Sequence, residues 1–526
     1  MGDHQNQATA NIEDLSNRIE GLNISGKRIR RRSRKSLNGA LRSFDETAVN
    51  LPDRADTVVK LLRTEEELNR GDAESICLAH TRGLQLAQVA RLLIDSAIPA
   101  LVRQVICSDS QTSFAVDDLL EHFKKPIENI TQRVIETSGS EGVLRKIAQE
   151  CYHQATSPAG ELNPDDYLAT SKWAGSKARR EDWIKFWTRS LCNCPGGPTL
   201  FQPKEDSVMK PPTQTPRYLF RAWDNNSTGV NGEDVIASIL NKGDKANRHK
   251  IDIFSMDYQK ASEMLHHHLS KSAFGSLVTD NLVSWSSSLM FVIQYANWRL
   301  CNTWHNPQDD IRICAVDTAK FPLGQFARDM WLLKAFRNAQ FRPEELQIRK
   351  LRLVLTGFDN GEYLSQGVLH INERSCTLSL RGLKNAGLWD LYPEFNINDA
   401  KHDSDVRTQW TSYVNYLRQV WRVVRKTTKA ELQCALNLAL KCFPGFDQDD
   451  MALLLLSFCE RKPSFQNPFA DLLPSGEVED IGYKEPAEVH RYSTLRNRMT
   501  QLSLASGKRG VELFEQLYEM EEIRKD

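Results

Sequence analysis

The sequence predicts an α+β fold, with a central mixed β domain flanked by all-α regions and a disordered N-terminal tail. Three observations predict it. Short β-branched or aromatic runs cluster between residues 217 and 385, apolar residues recur at helical spacing on both sides of them, and the first residues are polar and basic.

A chain of 526 residues exceeds what one hydrophobic core holds, so several domains are expected. Apolar residues make up 40% and charged residues 26%, the balance of an ordinary globular protein. With 68 basic and 68 acidic residues, the molecule as a whole has no bias toward nucleic acid or anionic membrane. Its most apolar windows are Leu84–Ile106, broken by Arg91, Asp95, Pro99 and Arg103, and Met451–Phe458. Neither has the roughly 20 uninterrupted residues of a membrane span. The polar N-terminus has no secretory signal core, and Gly2 lacks the serine or threonine of a myristoylation site. An intracellular protein, cytoplasmic or nuclear, is therefore expected. Eleven cysteines are irregularly spaced and the Cys192–Cys194 pair has no partner pair, so reduced thiols and no metal are expected.

The elements follow in order. Residues 1–55 read as a disordered basic tail, in which residues 27–35 carry seven cations. That run fits a nuclear-localisation or nucleic-acid tail as well as a plain solvated one. Residues 56–195 read as a helical domain, from Leu84, Val89, Leu92 and Leu93, from Ala115–Leu120, and from Val143–Ala148. Residues 196–212 are a Pro-rich linker. In the central domain, 213–385, strands are expected at Tyr218–Trp223, Ile311–Val316, Leu351–Leu355, Gly367–Ile371 and Thr377–Leu380, with a helix over Leu289–Leu300. A helical domain occupies 386–465, where Thr428 and Glu431 form a capping box and Asp447 suits the next cap. A loose segment with a C-terminal helix, near Val511–Arg524, closes the chain over 466–526.

Three segments of the central domain carry candidate chemistry. Tyr218–Arg221 is an apolar strand that ends on a cation, Val283–Leu289 is a serine-rich step into a helix, and Gly361–Gly367 holds Glu362. Breaking a nicotinamide–ribose bond calls for these residue types. An arginine fork matches phosphate oxygens, small hydroxyls hold a ribose, and a carboxylate stabilises an oxocarbenium. Each residue also has a plainer reading. Arg221 suits an ion pair, Ser284 and Ser286–Ser288 suit a helix cap, and Glu362 after Asn360–Gly361 suits a hairpin turn. The run His266–His267–His268 reads as a polar helix face, because adjacent helical residues point apart. Trp285, Trp298, Trp304 and Trp331 read as core or pocket wall.

With these residues in view, 217–372, less than a third of the chain, resembles the ADP-ribosyltransferases of the Arg–Ser–Glu class, the class of the heat-labile enterotoxin and cholera toxin A chains. The resemblance implies NAD as substrate and Arg221, Ser284, Ser286 and Trp285 as its binding residues, with Glu362 and Ser286 catalytic. It implies a mono-ADP-ribosyltransferase-like activity toward a protein or nucleic-acid acceptor not named by the sequence, or hydrolysis of NAD. Two features depart from the class. Asn360 stands where a second Glu or Gln often does, and Phe321–Phe341 becomes an insertion or a lid. The alternative is a catalytically silent module that keeps the fold and binds a partner. The Ser-Trp-Ser-Ser-Ser and Gly-Glu-Tyr-Leu-Ser-Gln-Gly segments also resemble a family of uncharacterised filamentous-fungal proteins.

Overall fold

The computed structural model describes residues 39–40, 42–43, 51–64, 76–88, 92, 102, 114–139, 142–170, 176–203, 215–242, 250–270, 280–302, 311–355, 359–396, 410–464 and 485–521. The chain divides into two compact units, 1–97 and 98–526. In the first, Leu51–Thr64 and residues 76–88 are helical. The basic run 27–35 and most of the 1–55 tail lie outside the described residues, as does Trp304. Among the described residues no helix is long and apolar enough to cross a membrane.

The second unit is an α+β structure. It opens with the helices Phe114–His122, Lys124–Thr137, Val143–Thr156, Pro164–Thr170 and Ser176–Asn193. Their apolar stripes meet around Trp183 and Trp187, one turn apart and packed edge to face. The Pro-rich stretch that follows is joined to the sheet where Thr199 bridges to Gln366 and Phe201 enters the core.

The strands are β1 (Tyr218–Trp223), β2 (Val230–Asn231), β3 (Val235–Ala237), β4 (Leu282–Ser286), β5 (Arg312–Asp317), β6 (Ala327–Arg328), β7 (Glu362–Gln366), β8 (Val368–His370) and β9 (Ser375–Ser379). Six form an antiparallel sheet in the order β6-β7-β4-β1-β5-β9, and β2-β3-β8 form a second, smaller one. Alternation sorts the faces. Tyr218 and Phe220 pack with Leu289, Met290 and Ile293 of the helix Leu289–Asn302. Leu219 points the other way, to Val283, Trp285 and Tyr363.

One expected strand is a helix. Leu351–Leu355 alternates like a strand, but the helix Pro343–Leu353 runs into it. Pro343 opens that helix, and the Glu345 carboxylate accepts from the Arg342 amide at 2.9 Å, so the upstream start signal overrides the short alternation. The segment Phe321–Phe341 also differs from a lid. Phe321 and Phe326 are core residues, Ala327–Arg328 forms the edge strand β6, and Asp329–Leu333 is buried in a helix.

Past the sheet lie the helices Leu380–Asn385, Leu388–Leu391, Trp410–Val420, Lys429–Cys442, Gln448–Leu456, Ala487–Ser506 and Gly510–Leu517. Thr428 and Glu431 form the capping box, and Asp447 caps Gln448–Leu456 by accepting from the Asp450 amide at 2.9 Å. Their apolar faces join Tyr218, Phe220 and Ile293 in one continuous core.

Candidate functional site

The site is built on the β4–β7 ladder, where Ser286 lies opposite Glu362 and Ser284 opposite Leu364. Val283, Trp285 and Tyr363 fill one face of this ladder, which leaves Ser284, Ser286 and Glu362 together on the other. Ser284 Oγ reaches Glu362 diagonally and donates to Oε1 at 2.8 Å. Glu362 begins its strand because Gly361, at φ 66°, turns the chain sharply before it. A Cβ at Gly361 would lie 1.9 Å from Ser287 Oγ, so only glycine fits.

A chain of polar groups continues from both ends of that bond. Asp280 Oδ2 lies 2.8 Å from His268 Nδ1, and His268 Nε2 lies 2.8 Å from Ser284 Oγ. At the far end, Arg352 Nη2 donates to Glu362 Oε2 at 2.6 Å. Of these contacts, the Ser284–Glu362 bond is the one that takes the single hydroxyl proton. The Ser284 proton then points to Glu362. An Asp–His–Ser nucleophile needs that proton directed toward the histidine, so here Ser284 orients Glu362 and is not itself primed to attack.

A second layer supports Glu362. Arg328 Nη1 donates to its carbonyl at 3.0 Å, Arg328 Nη2 grips both oxygens of Asp359 at 2.6 Å, and the guanidinium lies 5.3 Å over the Tyr363 ring. Asp329, 1% exposed, sits 3.5 Å from Arg328 and 3.6 Å from Arg352. Burial pushes its carboxyl up to about 6, against the pull of the two guanidinium groups.

Arg221 enters from β1, where it pairs with Cys314. Its Nε donates to Asn231 Oδ1 at 3.1 Å and its Nη1 to the Ser284 carbonyl at 3.0 Å. Burial lowers its pKa, and no carboxylate pairs with it among the described residues. Arginine remains charged under such pressure. The result is a cation held by dipoles alone, which favours an anion beside it.

Ser284 thus connects to both residues, to Arg221 through its carbonyl and to Glu362 through its hydroxyl, while Arg221 alternates with Leu219 onto the face of Trp285 and the Ser284 hydroxyl and Glu362 share the other. Ser286 is adjacent, but its hydroxyl donates to the Asn360 carbonyl at 2.6 Å and accepts from the Ser288 amide, so it holds the loop before Glu362. Trp285 lies in the opposite core, donating to Ser365 Oγ at 2.9 Å. Asn360 is committed as well, because its Oδ1 accepts from Arg418 at 3.2 Å. The sequence reading missed His268, Asp280 and Arg352. Of the three histidines, His266 is buried and neutral, its pKa lowered by burial to about 4, while His267 is exposed. It also missed a clamp from the C-terminal helices. Glu485 accepts from Ser287 Oγ at 2.6 Å and Tyr363 OH at 2.7 Å, and Glu488 accepts from Ser288 Oγ at 2.5 Å and pairs with Arg418 at 2.9 Å.

Residues 214–352 match a family model described as a domain of unknown function (DUF7587). The match covers Arg221, His268, Ser284, Ser286 and Arg352 and stops ten residues before Glu362 (362 − 352). No curated protein and no solved structure matches the chain.

Proposed function

We propose that this chain is an NAD-dependent mono-ADP-ribosyltransferase-like protein, which breaks the nicotinamide–ribose bond and passes ADP-ribose to a protein, a nucleic acid or water. The reading draws on the resemblance to the Arg–Ser–Glu class, and intracellular action, cytoplasmic or nuclear, belongs to it. One observation carries it: a single serine joins the other two residues, its carbonyl holding Arg221 and its hydroxyl holding Glu362. A guanidinium without a carboxylate partner suits a pyrophosphate. Glu362, oriented by Ser284, accepts a hydrogen bond from a ribose hydroxyl and stabilises the positive charge as nicotinamide leaves. His268 and Asp280 hold Ser284 from behind, and Ser286 holds the turn.

The test is nicotinamide release from labelled NAD by the full chain. Glu362→Gln keeps the shape and removes the charge, and it should slow release by about 10²–10³-fold, the usual cost of losing a preorganised electrostatic group. Release that survives the substitution takes Glu362 out of this role. A second reading, the catalytically silent binding module, is favoured by the engagement of both Glu362 oxygens by protein groups. A titration in which NAD does not bind supports that reading instead.

A further inference from the structure

Glu362 is unusual as a transfer residue because one oxygen already holds a guanidinium. Arg352 Nη2 lies 2.6 Å from Oε2, while Ser284 takes Oε1. Arg352 comes from the helix Pro343–Leu353 and retains 21% side-chain exposure, against 11% for Glu362. The ion pair is thus more exposed at its Arg352 end than at its Glu362 end.

An acceptor guanidinium needs a carboxylate to bind and deprotonate it. Among the described residues, every carboxylate near Glu362 is committed. Asp359 places both oxygens on Arg328, and Asp329 lies between Arg328 and Arg352. Glu485 holds Ser287 and Tyr363, and Glu488 holds Ser288 and Arg418. A cationic acceptor would instead meet Arg352 as a like charge in a poorly solvated place. Water carries no such charge and is small enough to pass beside the guanidinium.

We propose that Arg352 closes Glu362 to cationic acceptors and that water takes the ADP-ribose. The inference rests on the NAD-cleaving reading above. In the step, the bond between ribose C1′ and the nicotinamide nitrogen breaks and its electron pair leaves with nicotinamide. A water oxygen forms the new bond to C1′ and its proton passes through Glu362 to solvent. The products are nicotinamide, free ADP-ribose and one proton.

The experiment incubates the full chain with labelled NAD and agmatine, a small soluble guanidinium, and measures nicotinamide, free ADP-ribose and ADP-ribosyl-agmatine together. For the wild type, free ADP-ribose should match nicotinamide. Arg352→Met keeps the length of the side chain without its charge and should raise the share of product on agmatine at least about tenfold. Arg352→Lys keeps the cation and should leave the product in water. The readout is a ratio of products, so a loss of overall rate or stability in a variant does not move it. Wild-type transfer to agmatine in preference to water overturns the inference, as does an unchanged ratio in Arg352→Met. Absence of nicotinamide release from the wild type removes the NAD-cleaving reading and this inference with it, an outcome distinct from release with the wrong acceptor.

Discussion

Asp329 is the residue whose environment makes the sharpest demand on the site. Its carboxyl is pushed up to about 6 from an ordinary 3.8, with burial the largest cause, although Arg328 and Arg352 flank it. A carboxyl whose folded pKa is raised stabilises the fold most when protonated. That contribution is complete below about pH 4 and is lost as pH rises through about 6. A shift of this size corresponds to on the order of 3 kcal/mol. Asp329→Asn has no proton to lose there, so the wild type should gain stability relative to the variant as pH falls from 7 to 4. Urea unfolding of both proteins across that range measures the difference. A flat difference means Asp329 does not titrate in this window. Its neighbour Glu362 was singled out in the sequence only together with Tyr218–Arg221 and Val283–Leu289, through the resemblance the three segments carry. Asp329 and Arg352 were not, because their meaning comes from packing against a strand that follows them.

At the scale of elements, what could be read depended on how local the signal was. β1, β5, the helix after the serines and the cap at Thr428 each carry their cause within a few residues, and each stands in the structure close to where it was expected. Leu351–Leu355 misled because five residues of alternation look like a strand, whereas the start signal for its helix lies eight residues upstream at Pro343 (351 − 343). β6 is two residues long and exists only through pairing with β7. The clamp on the serine step joins residues up to 200 positions apart, beyond any pattern in a single chain. That clamp makes a prediction of its own. Arg418 bonds the Asp359 carbonyl and Asn360 Oδ1 and pairs with Glu488, which is 3% exposed. Burial pushes the Glu488 carboxyl up, but Arg418 and Ser288 outweigh it and hold the pKa below its ordinary value. Arg418→Ala leaves that carboxylate buried and unpaired and should cost about 3–5 kcal/mol. Adding Glu488→Gln removes the stranded charge, so the double variant should be more stable than Arg418→Ala alone in urea unfolding. A double variant less stable than either single one would remove the clamp as the reason.

Over the whole molecule, the sheet and the C-terminal helices share one interior. The helix Leu289–Asn302 lies against β1 on one side and the helix Trp410–Val420 on another, and the core runs without a break from Phe220 and Ile293 to Leu436, Leu453 and Phe514. Polar groups cross the same boundary, with Tyr218 of β1 and Tyr492 both donating to Asp450, at 2.7 and 2.8 Å, and Arg496 gripping its two oxygens. A division near residue 385 looked natural in the sequence because strand patterns stop and helical ones begin there. Secondary structure changes at that point, but the apolar faces on both sides are turned toward each other, and periodicity cannot tell which partner a face will choose. If this interior is one cooperative unit, damage in the C-terminal helices must reach the strands that carry Arg221 and Ser284. Leu453 is fully buried in Gln448–Leu456 and does not touch the site residues' hydrogen bonds. Leu453→Ala should cost about 2–5 kcal/mol, the usual range for a truncated core leucine. Amide hydrogen exchange then reads where the loss falls. Protection should drop by a similar factor in β1, β4 and β5 as in Lys429–Cys442 and Gln448–Leu456, since amides that exchange through global unfolding report the same free energy. A drop confined to the two helices would mean the sheet opens independently, and the serine corner would then owe its order to its own polar contacts, the clamp at Arg418 and Glu488 among them, and not to the shared core.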